Sequence, residues 1–196
     1  MPDPYVNPAT GCLRNLLGIT NPTELQNAER VTSMLREQSI RAHGLPGDFD
    51  LAHLQLIHRT VFQDIYAWAG SIRTVDTSRT HPFCRAKFIE EQATKLFEQL
   101  AESNHLKNLV RSEFVEQLTH YFSELNAIHP FRDGNGRTQR LFFELLAREA
   151  GYRLDWSRTN EHQNVEACVS AMEGITEELR NMLGLVVLDA VPGETG

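Results

Sequence analysis

The twelve residues from His129 to Arg140 read His-Pro-Phe-Arg-Asp-Gly-Asn-Gly-Arg-Thr-Gln-Arg, and they interrupt two segments that both carry the pattern of a buried helix. Before them, Phe114 (or Val115), Leu118, Phe122 and Leu125 share one face of a helix from about Ser112 to Ile128. After them, Leu141, Phe142, Leu145 and Leu146 continue a second apolar helix, closed by Gly151. Pro130 cannot continue a helix and biases its predecessor away from helical geometry, so the first helix ends near Ile128 with His129 just past its C-terminus. Asp133-Gly134 and Asn135-Gly136 are turn signals, but their helical flanks argue against a β-hairpin. The chain is therefore constrained to a helix–turn–helix around this interruption.

The same residues carry chemistry. The partial negative charge of a helix C-terminus favours an imidazolium at His129 and so prepares it to accept a proton, although a histidine at a helix end is as readily a simple cap. Phe131 reads as a core anchor for the turn. Glycines at 134 and 136 allow positive φ and close approach of a ligand, and they expose N–H groups at the start of the next helix, where the dipole favours an anion. Arg137 and Arg140, three apart, project toward the same anion. Arginines at a helix N-terminus oppose the dipole, which a bound polyphosphate would explain. Asp133 beside such a cradle suits Mg²⁺, which takes one or two carboxylates together with phosphate oxygens. A transition-metal pair of His129 and Asp133 fits less well, because Pro130 and Gly134 disrupt the helical i, i+4 face. No Walker A pattern and no G-x-G-x-x-G after a strand is present.

Residues 1–20 read as an irregular arm rich in turn formers. Asn21-Pro22-Thr23-Glu24 signals a helix start, followed by Leu25, Ala28, Val31 and Leu35 and ending by Gly44. Asp50 caps a second helix through Leu54, Ile57, Val61, Phe62 and Ile65, ended by Trp68-Ala69-Gly70. Ile72 to Phe83, with Thr74, Val75, Thr77 and Thr80, is the only strand signal and predicts a small β-hairpin flap. Such a flap is either surface decoration or an edge that receives an extended partner segment. A helix from Lys87 to Leu100 and a polar break at Ser103 to Asn108 precede the central helices. Asp155-Trp156-Ser157 opens a last helical region through Val165, Val169, Met172 and Ile175, with Leu179, Leu183 and Leu185 beyond Gly174. The tail from Pro192 is expected to fray.

With 196 residues and 41% hydrophobic content, the chain forms one domain with a real core. A net charge of -7 supplies no global basic field for nucleic acid or an anionic membrane, so phosphate binding must be local. Cys12, Cys84 and Cys168 are odd in number and lack C-x-x-C spacing, which fits a reducing compartment and small apolar fillers. Neither a signal sequence at Met1-Pro2-Asp3-Pro4 nor an apolar run of about 18 residues is present, so a cytoplasmic location is expected.

From His129 to Arg140 the sequence closely resembles the Fic (Fido) family, whose signature is His-Pro-Phe-x-(Asp/Glu)-Gly-Asn-Gly-Arg-x-x-Arg; every fixed position matches. The likeness extends to Ile57-His58-Arg59, to Asp64 through Gly70, to Arg73, and to Asn126 three residues before the histidine. The resemblance implies an all-α helical bundle with a β-hairpin flap, divided into an N-terminal arm and helix (1–49), the catalytic domain (50–188) and a flexible tail (189–196). It implies transfer of AMP from ATP to a Ser, Thr or Tyr hydroxyl of a target protein, with UMP, phosphocholine or phosphoryl transfer, or a catalytically silent nucleotide-binding module, as alternatives. Carried over residue by residue, His129 would be the base and Asp133 the Mg²⁺ ligand. Asn126, Asn135 and the N–H groups around Gly134 and Gly136 would contact ATP, and Arg137 and Arg140 would hold the β- and γ-phosphates. Arg79 and Thr80 would lie near the nucleotide, and Thr74, Val75, Asp76 and Thr77 would register the target backbone. The arm (Asp3-Pro4-Tyr5, Leu13 to Gly18) resembles bacterial Fic toxins of toxin–antitoxin modules, which implies type II topoisomerase subunits as targets. The inhibitory pattern Ser/Thr-x-x-x-Glu-Gly/Asn is incomplete: Ser33 and Glu37 are followed by Gln38, and Glu173-Gly174 has Val169 at the Ser/Thr position. A small antitoxin supplying a glutamate to Arg140 in trans is therefore expected.

Overall fold

The computed structural model describes residues 3–189. Asn21 accepts hydrogen bonds from the Thr23 and Glu24 amides and so caps α1 (Pro22–His43), with Pro22 in the first turn as predicted. Asp50 caps α2 (Leu51–Phe62) by accepting from His53 N–H. Then follow α3 (Ile89–Glu102), α4 (Arg111–Ile128) and α5 (Asn135–Glu149). After a short strand β1 (Tyr152–Leu154) come α6 (Glu161–Met172), α7 (Glu177–Val186) and strand β2 (Val187–Asp189). The all-α class is borne out. The last helical region is two helices, because the chain breaks at Gly174, whose φ of +86° a helix does not allow.

Two differences from the expected elements have local causes. The second helix stops at Phe62 rather than running to Trp68, and the carbonyl of Ile65 accepts a 2.7 Å hydrogen bond from Leu16 N–H of the arm. The regular sheet is β1 with β2, antiparallel with Arg153 opposite Leu188, not the flap. Three-residue strands are too short for alternation to register, and they are held by tertiary contacts such as Arg111 Nη2 to Val187 O at 2.9 Å. The flap is present as a tight reversal with one antiparallel bridge, Ser78 with Pro82.

Helix α4 is buried on most of its circumference by Phe114, Leu118, Tyr121, Phe122, Leu125 and Ile128, as a central helix must be. It packs against α3, α5, α6 and α7, while α5 also meets α1, α2 and β1. These two helices meet at the turn from His129 to Gly134, so the site is mounted on two helices buried in the core. Phe142 of α5 is fully buried, edge-on to Phe143 and Phe49 at centroid distances of 5.3 and 5.8 Å. Its replacement in Phe142→Ala is expected to lower unfolding free energy by about 3–5 kcal/mol in denaturant titration. A loss below about 1 kcal/mol would show that α5 is not the core element described.

Candidate active site

The turn between α4 and α5 is closed by a side chain. Asn135 accepts from Phe131 N–H at 2.8 Å and returns a bond from Nδ2 to Phe131 O at 2.8 Å. Its carboxamide therefore holds the loop, and its backbone N–H has no protein acceptor. Gly134 lies at φ +76°, and a Cβ there would collide with the Phe62 ring, so glycine is required twice over. Gly136 is different from expectation: it sits in the first turn of α5 with no positive φ, exposed. Its missing side chain leaves the helix end open on the outer side.

No side chain caps α5. Its first intrahelical bond runs from Thr138 N–H to Gly134 O at 3.1 Å, which leaves the amides of Asn135, Gly136 and Arg137 without protein acceptors. They border a cavity of about 620 Å³ that is also lined by Asn126, His129, Asp133, Arg137, Arg140 and Glu161. Cys168 lines it too, but burial pushes that thiol up to about 12, far from a nucleophile at neutral pH.

His129 occupies the left-handed C-cap of α4, with its N–H on Leu125 O at 3.0 Å. The imidazole stacks on Phe83 of the flap at 3.7 Å between centroids and 8° between planes. Its proton affinity is opposite to the helix-end expectation: burial, then Arg73 and Arg79, push the pKa down to about 4, against a smaller contribution from the Asn126 carbonyl. The reason is visible at the helix end, where Arg73 already donates to the carbonyls of Ile128 and His129. Nδ1 is buried without a hydrogen-bond partner of acceptable geometry. At neutral pH the ring is an uncharged base.

The two arginines divide the work unequally. Arg137 lies over the Phe62 ring at 4.7 Å and is held by α1: Nη1 donates to Ser33 Oγ at 2.9 Å and Nη2 pairs with Glu29. Glu29 is buried and also accepts from Tyr66 OH. Arg140 makes no side-chain hydrogen bond or ion pair among the described residues, and burial together with neighbouring Arg137 lowers its pKa. An unpartnered guanidinium facing a cavity is a site for an anion. The glutamates of the incomplete inhibitory patterns are paired with other groups: Glu37, whose charge also acts on Arg140, with Arg41 at 3.1 Å, and Glu173 with His81 at 2.8 Å.

Asp133 accepts from Gly134 N–H at 2.6 Å and forms no ion pair among the described residues. Burial, then Glu29, raises its pKa. A half-buried carboxylate on the cavity wall with one occupied oxygen suits a cation that shares phosphate oxygens, although no group of three or more carboxylate, His or Cys side chains gathers among the described residues. Behind it His58, fully buried and stacked on Phe131 at 3.9 Å, accepts from Gly70 N–H and thus carries its proton on Nε2, toward Asp133 O at 3.0 Å.

In the flap, Asp76, Thr77, Arg79 and Thr80 line the cavity, whereas Thr74 and Val75 do not. Thr74 N–H donates to Tyr5 OH at 3.1 Å, and Val75 O accepts from Arg73. Thr77 Oγ1 is buried and unpartnered on the cavity wall. The amides of Val75, Asp76 and Thr77 have no protein acceptor, so this edge is free to receive an extended segment. Glu29 escaped sequence reasoning because it reads as one charge among many on an amphipathic helix. His58 and Arg73 were visible only as parts of a resemblance, without a role.

The Fic/DOC family model matches residues 48–147. The chain belongs to the Fic/DOC family. It is 38% identical over 197 residues to Probable protein adenylyltransferase Fic of Escherichia coli K12, covering 98% of this chain and 96% of that protein. It is 40% identical over 173 residues to the protein adenylyltransferase VbhT of Bartonella schoenbuchensis, covering 88% of this chain but only 36% of that longer protein. The BepC protein of Bartonella tribocorum, solved with AMPPNP, superposes with a TM-score of 0.91 at 28% identity, covering 95% of this chain and 97% of that one. A Fic domain of a Bartonella quintana VirB-translocated effector, solved with ADP, gives 0.91 at 28%, with 95% of each chain covered. The cavity of this Fic protein is thus built on the same framework as domains solved with adenine nucleotides.

His58 supplies a pH test. Burial lowers its pKa to about 4, whereas an unfolded histidine titrates near 6.5. Its neutral form therefore stabilises the fold fully above about pH 6.5, and that contribution is lost as pH falls toward 4, by on the order of 3 kcal/mol at complete protonation. His58→Gln keeps a donor toward Asp133 but cannot titrate. Its unfolding free energy should fall less steeply between pH 6.5 and 4 than that of the natural chain, and an identical slope would contradict the assignment.

Proposed function

We propose that the chain is a protein adenylyltransferase that transfers AMP from ATP to a hydroxyl side chain of a target protein. The observation that carries this reading is the meeting, in one cavity, of a neutral, half-buried His129, the free amides of the α5 N-terminus and an unpartnered Arg140.

The polyphosphate lies across the amides of Asn135, Gly136 and Arg137, with Arg140 and the outer N–H groups of Arg137 on its β- and γ-phosphates. Asn126, Arg79 and Thr80 border the nucleotide. A bound anion offsets the charges of Arg73 and Arg79 around His129 and so raises the proton affinity of the imidazole when it is needed. The target hydroxyl gives its proton to His129, its oxygen bonds to the α-phosphorus, and the bond to the bridging oxygen breaks to release pyrophosphate. Asp133 would hold Mg²⁺, which screens charge on the phosphate oxygens. The remaining contribution is positioning, as phosphate transfer requires.

The target enters along the free amides of Val75, Asp76 and Thr77 by strand addition, with Thr74 anchoring the flap base. No carboxylate of the described residues sits on Arg140, which favours control in trans by a small antitoxin supplying one, and hence a toxin role in the cytoplasm. Type II topoisomerase subunits are the first targets to test. No described helix is long and apolar enough to cross a membrane.

Incubation of lysate with ATP labelled at the α- or γ-phosphate tests the reaction. Label from the α-phosphate on a protein is expected. His129→Ala should reduce it by about 10²-fold or more while sparing ATP binding. Label from the γ-phosphate alone, or nucleotide binding without any protein label, would replace the reading with phosphoryl transfer or a silent nucleotide-binding module. A different nucleotide as donor would indicate UMP or phosphocholine transfer.

A further inference from the structure

Arg73 is 1% exposed and forms no ion pair with a carboxylate among the described residues. Every side-chain hydrogen bond it makes ends on a backbone carbonyl, and those carbonyls belong to two segments. Nε donates to His129 O at 2.8 Å and Nη2 to Ile128 O at 3.3 Å, at the end of α4. Nη1 donates to Val75 O at 2.7 Å, and Nη2 also donates to Cys84 O, at the two ends of the flap. The backbone repeats the junction: Arg73 N–H donates to Pro130 O and Cys84 N–H to Ala127 O, both at 2.9 Å. Phe83, next to Cys84, stacks on the His129 ring.

A buried guanidinium without a counter-ion is expensive, and it is tolerated here because the carbonyl end of α4 carries partial negative charge. The flap needs such an anchor. With a single bridge between Ser78 and Pro82, it cannot set its own register, since even a complete two-stranded hairpin is marginal in water. A hydroxyl delivered along the flap must come within about 2.6–3.2 Å of the base. We infer that Arg73 is a positioning residue that fixes both ends of the flap to the backbone of His129, so that a target docked on the flap is presented in register with the base. This inference rests on the proposed transfer reaction.

Arg73→Met removes the fork and its charge; Arg73→Lys keeps the charge but can satisfy only part of the carbonyl set. Three measurements are made on each full-length variant: calorimetric affinity for a non-hydrolysable ATP analogue with Mg²⁺, the rate of AMP transfer, and amide exchange across residues 75–83. Both variants should bind nucleotide within about twofold of the natural chain, lose on the order of a hundredfold in transfer rate, and exchange the flap amides faster. Unchanged flap exchange, or a loss of nucleotide affinity parallel to the loss of rate, would overturn the inference. If Arg73→Met does not fold, Arg73→Lys carries the test. If the natural chain transfers no AMP, the proposed function fails, while amide exchange still decides whether Arg73 anchors the flap.

Discussion

The reversal between α4 and α5 depends on one pair of hydrogen bonds, those between the Asn135 carboxamide and the backbone of Phe131. Pro130 ends α4 but does not say where the chain goes next. The carboxamide does, by acting as a strand edge of a single residue: it gives one donor and one acceptor to a loop that has no neighbour to pair with. Once that loop is closed, Gly134 is driven against Phe62, α5 starts uncapped, and its first amides open into the cavity. Asp133 is held between its own helix start and His58. An aspartate at 135 would offer acceptors only, which explains why the chemistry of an amide is needed at this position.

Charge in the site is arranged around that loop, with partners coming from distant segments. Burial keeps His129 neutral, and Arg73, which collects the carbonyls at the end of α4, adds to that effect. Glu29 and Ser33 of α1 take up Arg137, which leaves Arg140 without a hydrogen-bond or ion-pair partner among the described residues. Helix α1 lies outside the segment matched by the family model, residues 48–147. It nevertheless holds Arg137 through Glu29 and Ser33, so side chains on either side of residue 49 are in direct contact.

The bundle was legible wherever periodicity was long and caps were explicit: Asn21 and Asp50 start helices where expected, and α4 ends at Ile128 because of Pro130. The pairing of β1 and β2 was not, because three residues of alternation carry no signal and the partners lie far apart in sequence. His129, Asp133 and Arg140, which the sequence groups in one site, line one cavity. The protonation of His129 was misjudged, since a local rule about helix ends knows nothing of Arg73, which is 56 residues away. That the carboxamide of Asn135 folds back onto its own loop has no local signature in the sequence. Glu29 had no local signature; its meaning comes from Arg137, 108 residues later.

A crystal structure with a non-hydrolysable ATP analogue and Mg²⁺ bears most directly on the claim that the loop is a phosphate cradle beside a neutral base. The polyphosphate should accept hydrogen bonds from the amides of Asn135, Gly136 and Arg137, with Arg140 on its terminal phosphates, Mg²⁺ at Asp133 and the α-phosphate nearest His129. A nucleotide seated away from the start of α5, or one that leaves Arg140 without a phosphate partner, would contradict that claim.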